Sequence, residues 1–338
     1  MTTSDAAQRD QKLEAVTELV KLAIKAAEGG QWDAATQQLD EAAAAFAPIP
    51  SEHPDTKKKD ARYCSVGAAI SEGKGQLALR AGQIPEGVFH LEAGIALRLD
   101  EEAAGGKPPP MALPVTLVNL TGAYHRLGRL DDALRVNGMA IERLGPIELA
   151  PARIFLAAAT EARGNLLSQM NKHPEAALAL NQAGALAAQL AAAGVQGAPQ
   201  LLTEILVAHS RAAAKAGDPV EAMRLSQGAA DVAWERFERN PQGDREAIAH
   251  FVAAQMNLLG FAEMAGRFAQ GEDALFKVLR LAGPDPRVVA RGKAFYEALK
   301  KLDDARLEAG NLPRDEVEES YQQLLQIAAR AARPAASA

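Results

Sequence analysis

Six histidines (His53, His90, His125, His173, His209 and His250) and a single cysteine, Cys64, carry the richest potential chemistry in this 338-residue chain. No two of the histidines stand at i, i+4, the spacing of a metal-binding pair on one helix, and none lies beside a carboxylate in a known zinc motif. One cysteine permits neither an intramolecular disulfide nor a thiolate cluster within the chain, so Cys64 is expected to fill the core. Gly73-Lys74-Gly75 followed by Ala78 imitates part of a dinucleotide fingerprint. That motif needs a strand before it, and here it lies inside a helical period. No lysine followed by Ser or Thr closes a phosphate loop, and no Gly-x-Ser-x-Gly elbow occurs. The acid pairs Asp131-Asp132 and Glu101-Glu102 are expected at helix starts or on solvated faces. The expectation is a non-enzyme with no catalytic residues, no cofactor and no metal.

The elements that would position any site follow from composition. Residues of the AVILMFWYC set make up 48% of the chain, yet only 4% are aromatic. The apolar mass is therefore alanine and leucine, strong helix formers, and β-branched residues are too sparse for an all-β fold. A net charge of −6 excludes a general binder of nucleic acid or anionic membranes. The amino terminus begins Met-Thr-Thr-Ser-Asp, with no basic segment followed by an apolar one, so no secretory signal is expected. The uncharged stretch from Ala176 to Thr203 is interrupted by Asn181, Gln182, Gln189 and Gln196 and is too weakly apolar to cross a bilayer. A cytoplasmic location is expected, and the alanine bias suits a bacterial chain.

Internal repetition organises the sequence. Leu117, Leu120, Thr121 and Tyr124 share one helical face, Gly128 makes a turn, and Ala133, Ala140 and Gly145-Pro146 follow. The same order recurs around Gly30, Gly82, Asn171, Gly217 and Gly266, about 43 to 52 residues apart. Pro48, Pro146 and Pro284 each stand about 18 residues past a turn glycine. Small residues are expected where paired helices cross and large ones in the adjoining holes. This pattern resembles the tetratricopeptide repeat, with Leu117 in place of its tryptophan, Thr121 in place of its glycine and Asn137 where an aromatic is usual. The long units resemble the repeats of kinesin light chains.

The resemblance implies an all-α, right-handed α-solenoid of about seven antiparallel helical hairpins, a single superhelical domain over 1–338. The hairpins are expected near 5–47, 55–103, 111–145, 147–194, 198–239, 243–282 and 287–333. A Gly/Pro loop covers 105–110, and a disordered tail is expected over 334–338. In the last hairpin, Val288 to Ala309 is expected as one amphipathic helix, with Gly310-Asn311 ending it and a charge-rich cap following.

In such arrays the first helix of each pair lines the concave surface. With Leu117, Leu120, Thr121 and Tyr124 packed inward, Val118, Gly122, His125 and Arg126 point into the groove, flanked by Asn119. The same register places Glu72, Gln76, Leu79 and Arg80 there, then Glu161, Asn165, Ser168 and Gln169. Val207, Arg211, Ala214 and Lys215 follow, and then Met256, Gly260, Glu263 and Met264, flanked by Asn257. The candidate partner-binding residues are Gln76, Arg80, Asn119, His125, Arg126, Glu161, Asn165, Gln169, Arg211, Lys215 and Asn257. Asparagines bond a peptide backbone, and the cations pair with acidic groups. The expected function is a non-catalytic adaptor that holds a segment of another protein or peptide in the groove. Neither nucleic acid nor membrane insertion is expected, and homo-oligomerisation is open. Two alternatives stand beside it: a self-assembling scaffold, and a regulator responsive to a peptide or small ligand.

Overall fold

The computed structural model describes residues 3–53, 58–241 and 244–331. Among these residues all regular structure is helical, apart from one isolated bridge between Glu52 and Lys59. The chain divides into two compact units, Met1–Ala159 and Thr160–Ala338. The first holds α1 (Thr3–Glu28), α2 (Trp32–Phe46), α3 (Ala61–Arg80), α4 (Ile84–Ala103), α5 (Ala112–Arg126) and α6 (Leu130–Leu144), and the start of α7 (Ala150–Gln169). The second holds the rest of α7 with α8 (His173–Ala192), α9 (Ala198–Lys215), α10 (Pro219–Arg239), α11 (Arg245–Ala265) and α12 (Phe268–Ala282). It ends with α13 (Pro286–Leu299), α14 (Asp304–Ala309) and α15 (Arg314–Ala331). The tail expected from Pro334 lies outside the described residues.

The short turns make the helices of each pair antiparallel neighbours. Gly128 sits at φ 71° and Asn171 at φ 59°, the left-handed conformation that closes a helix. The next amide then reaches back over the last turn: Arg129 N donates to Tyr124 O at 3.0 Å, and Lys172 N to Leu167 O at 2.9 Å. Pro48, Pro146 and Pro284 each follow the end of a second helix, α2, α6 and α12, where a proline prevents continuation.

Small residues sit where the helices cross. A methyl on Gly75 would meet Leu91 at 2.8 Å, and one on Gly164 would meet Leu180 at 2.5 Å. Between these crossings Leu117, Leu120, Thr121 and Tyr124 are all buried, as the register requires. Cys64 is fully buried, and burial pushes its thiol up from the ordinary value.

Three local expectations are corrected. Glu72 does not face a groove: its carboxylate takes a two-pronged contact from buried Arg98, at 3.0 and 2.7 Å, and a hydrogen bond from Thr116 at 3.0 Å. Glu101 is not on a solvated face but 5% exposed, paired with the same Arg98 at 2.9 Å. Arg98 projects from α4 into the core, and a buried guanidinium draws in whichever carboxylates it reaches. The helix expected from Val288 to Ala309 is broken between Leu299 and Asp304. Asp303 caps α14 by accepting from Arg306 N, and Arg314 donates to the freed carbonyls of Lys300 and Leu302. Asn311 at φ 56°, with Leu312 N bonded to Leu307 O at 3.1 Å, then repeats the turn of the earlier pairs.

A candidate interaction face on the first helices

In the first unit the face comes from α3 and α5. Gln76 and Arg80 are exposed near the end of α3. The Arg80 guanidinium lies 3.6 Å over the Trp32 ring, a cation–π contact that fixes its position. Together they border a cavity of about 500 Å³ walled by Ile24, Leu39 and Gly73. Arg126, exposed on α5, donates to Leu79 O at 3.4 Å and so ties α5 to α3. His125 is exposed beside it. Asn119 is half-buried, and its amide has no hydrogen-bond partner among the described residues. Gly122 faces open space, with nothing within 4 Å of where a side chain would start.

In the second unit α7, α9 and α11 share a denser set. Asn165 Nδ2 donates to Glu161 Oε1 at 3.3 Å one helical turn away. Burial, then the neighbouring charge of Glu204, push the Glu161 carboxyl up to about 7, against the opposing pull of Asn165 and Arg211. Arg211 and Lys215 are exposed on α9, Gln169 is exposed at the end of α7, and Asn257 is half-buried on α11. The Asn257 amide, like that of Asn119, has no hydrogen-bond partner among the described residues. Arg291 of α13 pairs with Glu263 at 2.6 Å and extends the face.

The structure thus brings Glu161, Asn165 and Arg211 together in one unit, and Gln76, Arg80 and Arg126 in the other. Sequence reasoning gave no site role to Trp32, Glu204 or Glu246, and read His250 only as one of six histidines without a helical partner. Glu246 and His250 stand four residues apart, a signal lost when only histidine pairs are sought. Glu204, Glu246 and His250 bring one potential ligand atom each within 4.8 Å of one another. Arg236, anchored on Asp244, has Nη1 3.3 Å from His250 Nδ1. A guanidinium only donates, so Nδ1 accepts and Nε2 carries the ring proton. In this arrangement the histidine offers no free lone pair to a cation.

A family of unknown function, DUF6483, matches residues 229–329, from the middle of α10 into α15. No curated protein matches. Among solved structures, the chain is similar to the apo form of RapI at 10% identity, covering 94% of this chain and 98% of that one, with a TM-score of 0.52. It is similar to a tetratricopeptide repeat protein from Parabacteroides merdae ATCC 43184 at 14% identity, over 93% and 99% of the two chains, with a TM-score of 0.50. Repeats of a putative kinesin light chain from Podosopora anserina match at 17% identity over 67% of this chain and 98% of that one, with a TM-score of 0.48. The fold is the tetratricopeptide-type helical solenoid. Among the described residues no helix is long and apolar enough to cross a membrane.

Proposed function

We propose that the chain is a non-catalytic adaptor that captures an extended segment of a partner polypeptide on its first-helix faces. The observation that carries this reading is the pair of half-buried amides, Asn119 on α5 and Asn257 on α11, without hydrogen-bond partners among the described residues. They occupy equivalent places in their repeats, and a side-chain amide offers both a donor and an acceptor to a peptide backbone. Cations flank each: Arg80 and Arg126 in the first unit, Arg211 and Lys215 in the second, ready for acidic side chains or a terminal carboxylate. The open space at Gly122 and the near-open site at Gly260 let a backbone lie close to the helices. Ordering an extended segment limits affinity, so several such contacts are needed together.

The test is affinity capture on the full chain with mass spectrometry, repeated with Arg126→Ala, Asn165→Ala and Arg211→Ala combined. Loss of the captured partner with an unchanged thermal melt is expected, because all three side chains are at least partly exposed. Full capture by the triple variant refutes the reading.

A further inference from the structure

A second site lies away from those faces, between α10 and α12 over α11 in the second unit. Its cavity of about 430 Å³ has Gln255 in its floor and Met223, Leu258 and Ala274 among its walls. Gln255 is 1% exposed, and its Oε1 has no hydrogen-bond partner among the described residues. A buried acceptor left unpaired costs free energy that a donor brought by a ligand restores. Arg267 and Lys277 line the same cavity, and neither has an ion-pair partner among the described residues. Arg224, also at the wall, is already engaged by Glu221 at 2.5 Å. One carboxylate, Asp273, lines the cavity with Gln227 and Gln270, and the cations Arg267 and Lys277 outnumber it. Two cations without ion-pair partners and one orphaned acceptor, beside Met223, Leu258 and Ala274, define a ligand with an anion, an N–H donor and a short apolar arm.

Length decides what kind of ligand. Gln227, Gln255 and Lys277 also line a neighbouring cavity of about 410 Å³ that ends at Trp234 and Phe251. The two cavities share these three residues, so a ligand seated over Gln255 has room to run on toward the aromatic pair, beyond the reach of a single amino acid or an inorganic anion. From this we infer that the α10–α12 cleft binds an acidic peptide segment: a backbone N–H donates to Gln255 Oε1, a glutamate or aspartate carboxylate pairs with Arg267 and Lys277, and apolar neighbours enter toward Leu258 and Phe251.

The inference is independent of the first-helix reading, and its test separates the two. A set of short acetylated and amidated peptides, each with a central glutamate between varied apolar residues, is titrated onto the full chain by fluorescence anisotropy beside the matching glutamine set. Glutamate peptides are expected to bind at least about tenfold more tightly than their glutamine partners, a difference of about 1.4 kcal/mol. Arg267→Gln with Lys277→Gln removes that preference, and Gln255→Leu weakens both sets, with melts confirming that each variant is folded. Asn165→Ala with Arg211→Ala leaves the titration unchanged. Absence of any glutamate preference, or its survival in the Arg267→Gln, Lys277→Gln chain, overturns the proposal. Competition by free glutamate or inorganic phosphate at the peptide's own concentration overturns the assignment to a peptide. Binding indifferent to Gln255→Leu shows that solvent alone serves the buried oxygen, and it overturns the role given to Gln255.

Discussion

Glu161 sits in an environment far from that of an ordinary glutamate. Half-buried and close to Glu204, its carboxyl titrates near 7 rather than at the ordinary 4.5. The native chain therefore holds this proton more tightly than the unfolded chain does. The resulting stabilisation is complete below 4.5 and is lost as pH rises through 7. Glu161→Gln keeps a neutral group of the same shape and removes the titration. Against that variant, the parent chain is expected to lose on the order of 2 kcal/mol of stability between about pH 5 and about pH 8. Parallel denaturant melts at the two pH values measure it, and an identical pH dependence in both chains contradicts the placement of Glu161. That a glutamate stands in this register is plain from the repeat. That Glu204, from the next first helix, reaches close enough to raise it is not, because the two are 43 positions apart in the chain.

At the scale of the helices, stability rests on close crossings rather than on large side chains. Gly164 is buried on α7, and a methyl there would meet Leu180 Cγ at 2.5 Å. Alanine is worth about 1 kcal/mol more than glycine inside a helix, but forced overpacking costs about 1–3 kcal/mol. Gly164→Ala is thus expected to lower the melting temperature, whereas Gly122→Ala, which meets nothing, is expected to raise it. Thermal denaturation of the two single variants checks the contrast. The turns were legible from residue type, since glycine or asparagine is needed where φ is positive, and Asn171 behaves as its position in the repeat implies. The break between α13 and α14 was not legible. The amphipathic period runs through it, and only Arg314, arriving from α15 to serve the carbonyls of Lys300 and Leu302, makes the interruption affordable.

At the scale of the whole molecule, a repeat array needs an end that no neighbour covers. In the second unit α13 and α15 close a core of Leu275, Val278, Phe295, Tyr296, Leu299 and Leu324. Tyr296 donates to Glu272 at 2.6 Å beneath them, so this polar pair between α12 and α13 is buried together. Ending the chain after Gly283 is expected to uncover Leu275 and Val278, lower the melting temperature and raise binding of a hydrophobic dye. A truncated chain with the parent's melt and dye binding contradicts a capping role for α13–α15.

Residue type and spacing were enough to establish the helical repeat, its long period and the packing face of α5. These depend on neighbours within one or two turns of the same chain segment, where 3.6 residues per turn sets the geometry. Tertiary structure alone decided which polar residues meet. The Arg98–Glu72–Glu101 network, Arg80 stacked on Trp32, Glu204 beside Glu161 and the cleft over Gln255 all join side chains from different helices. The reason is physical: a periodic pattern specifies a face, whereas a charge or a cavity depends on the distance across to the next helix, and that distance is set by how closely the small residues let the helices approach.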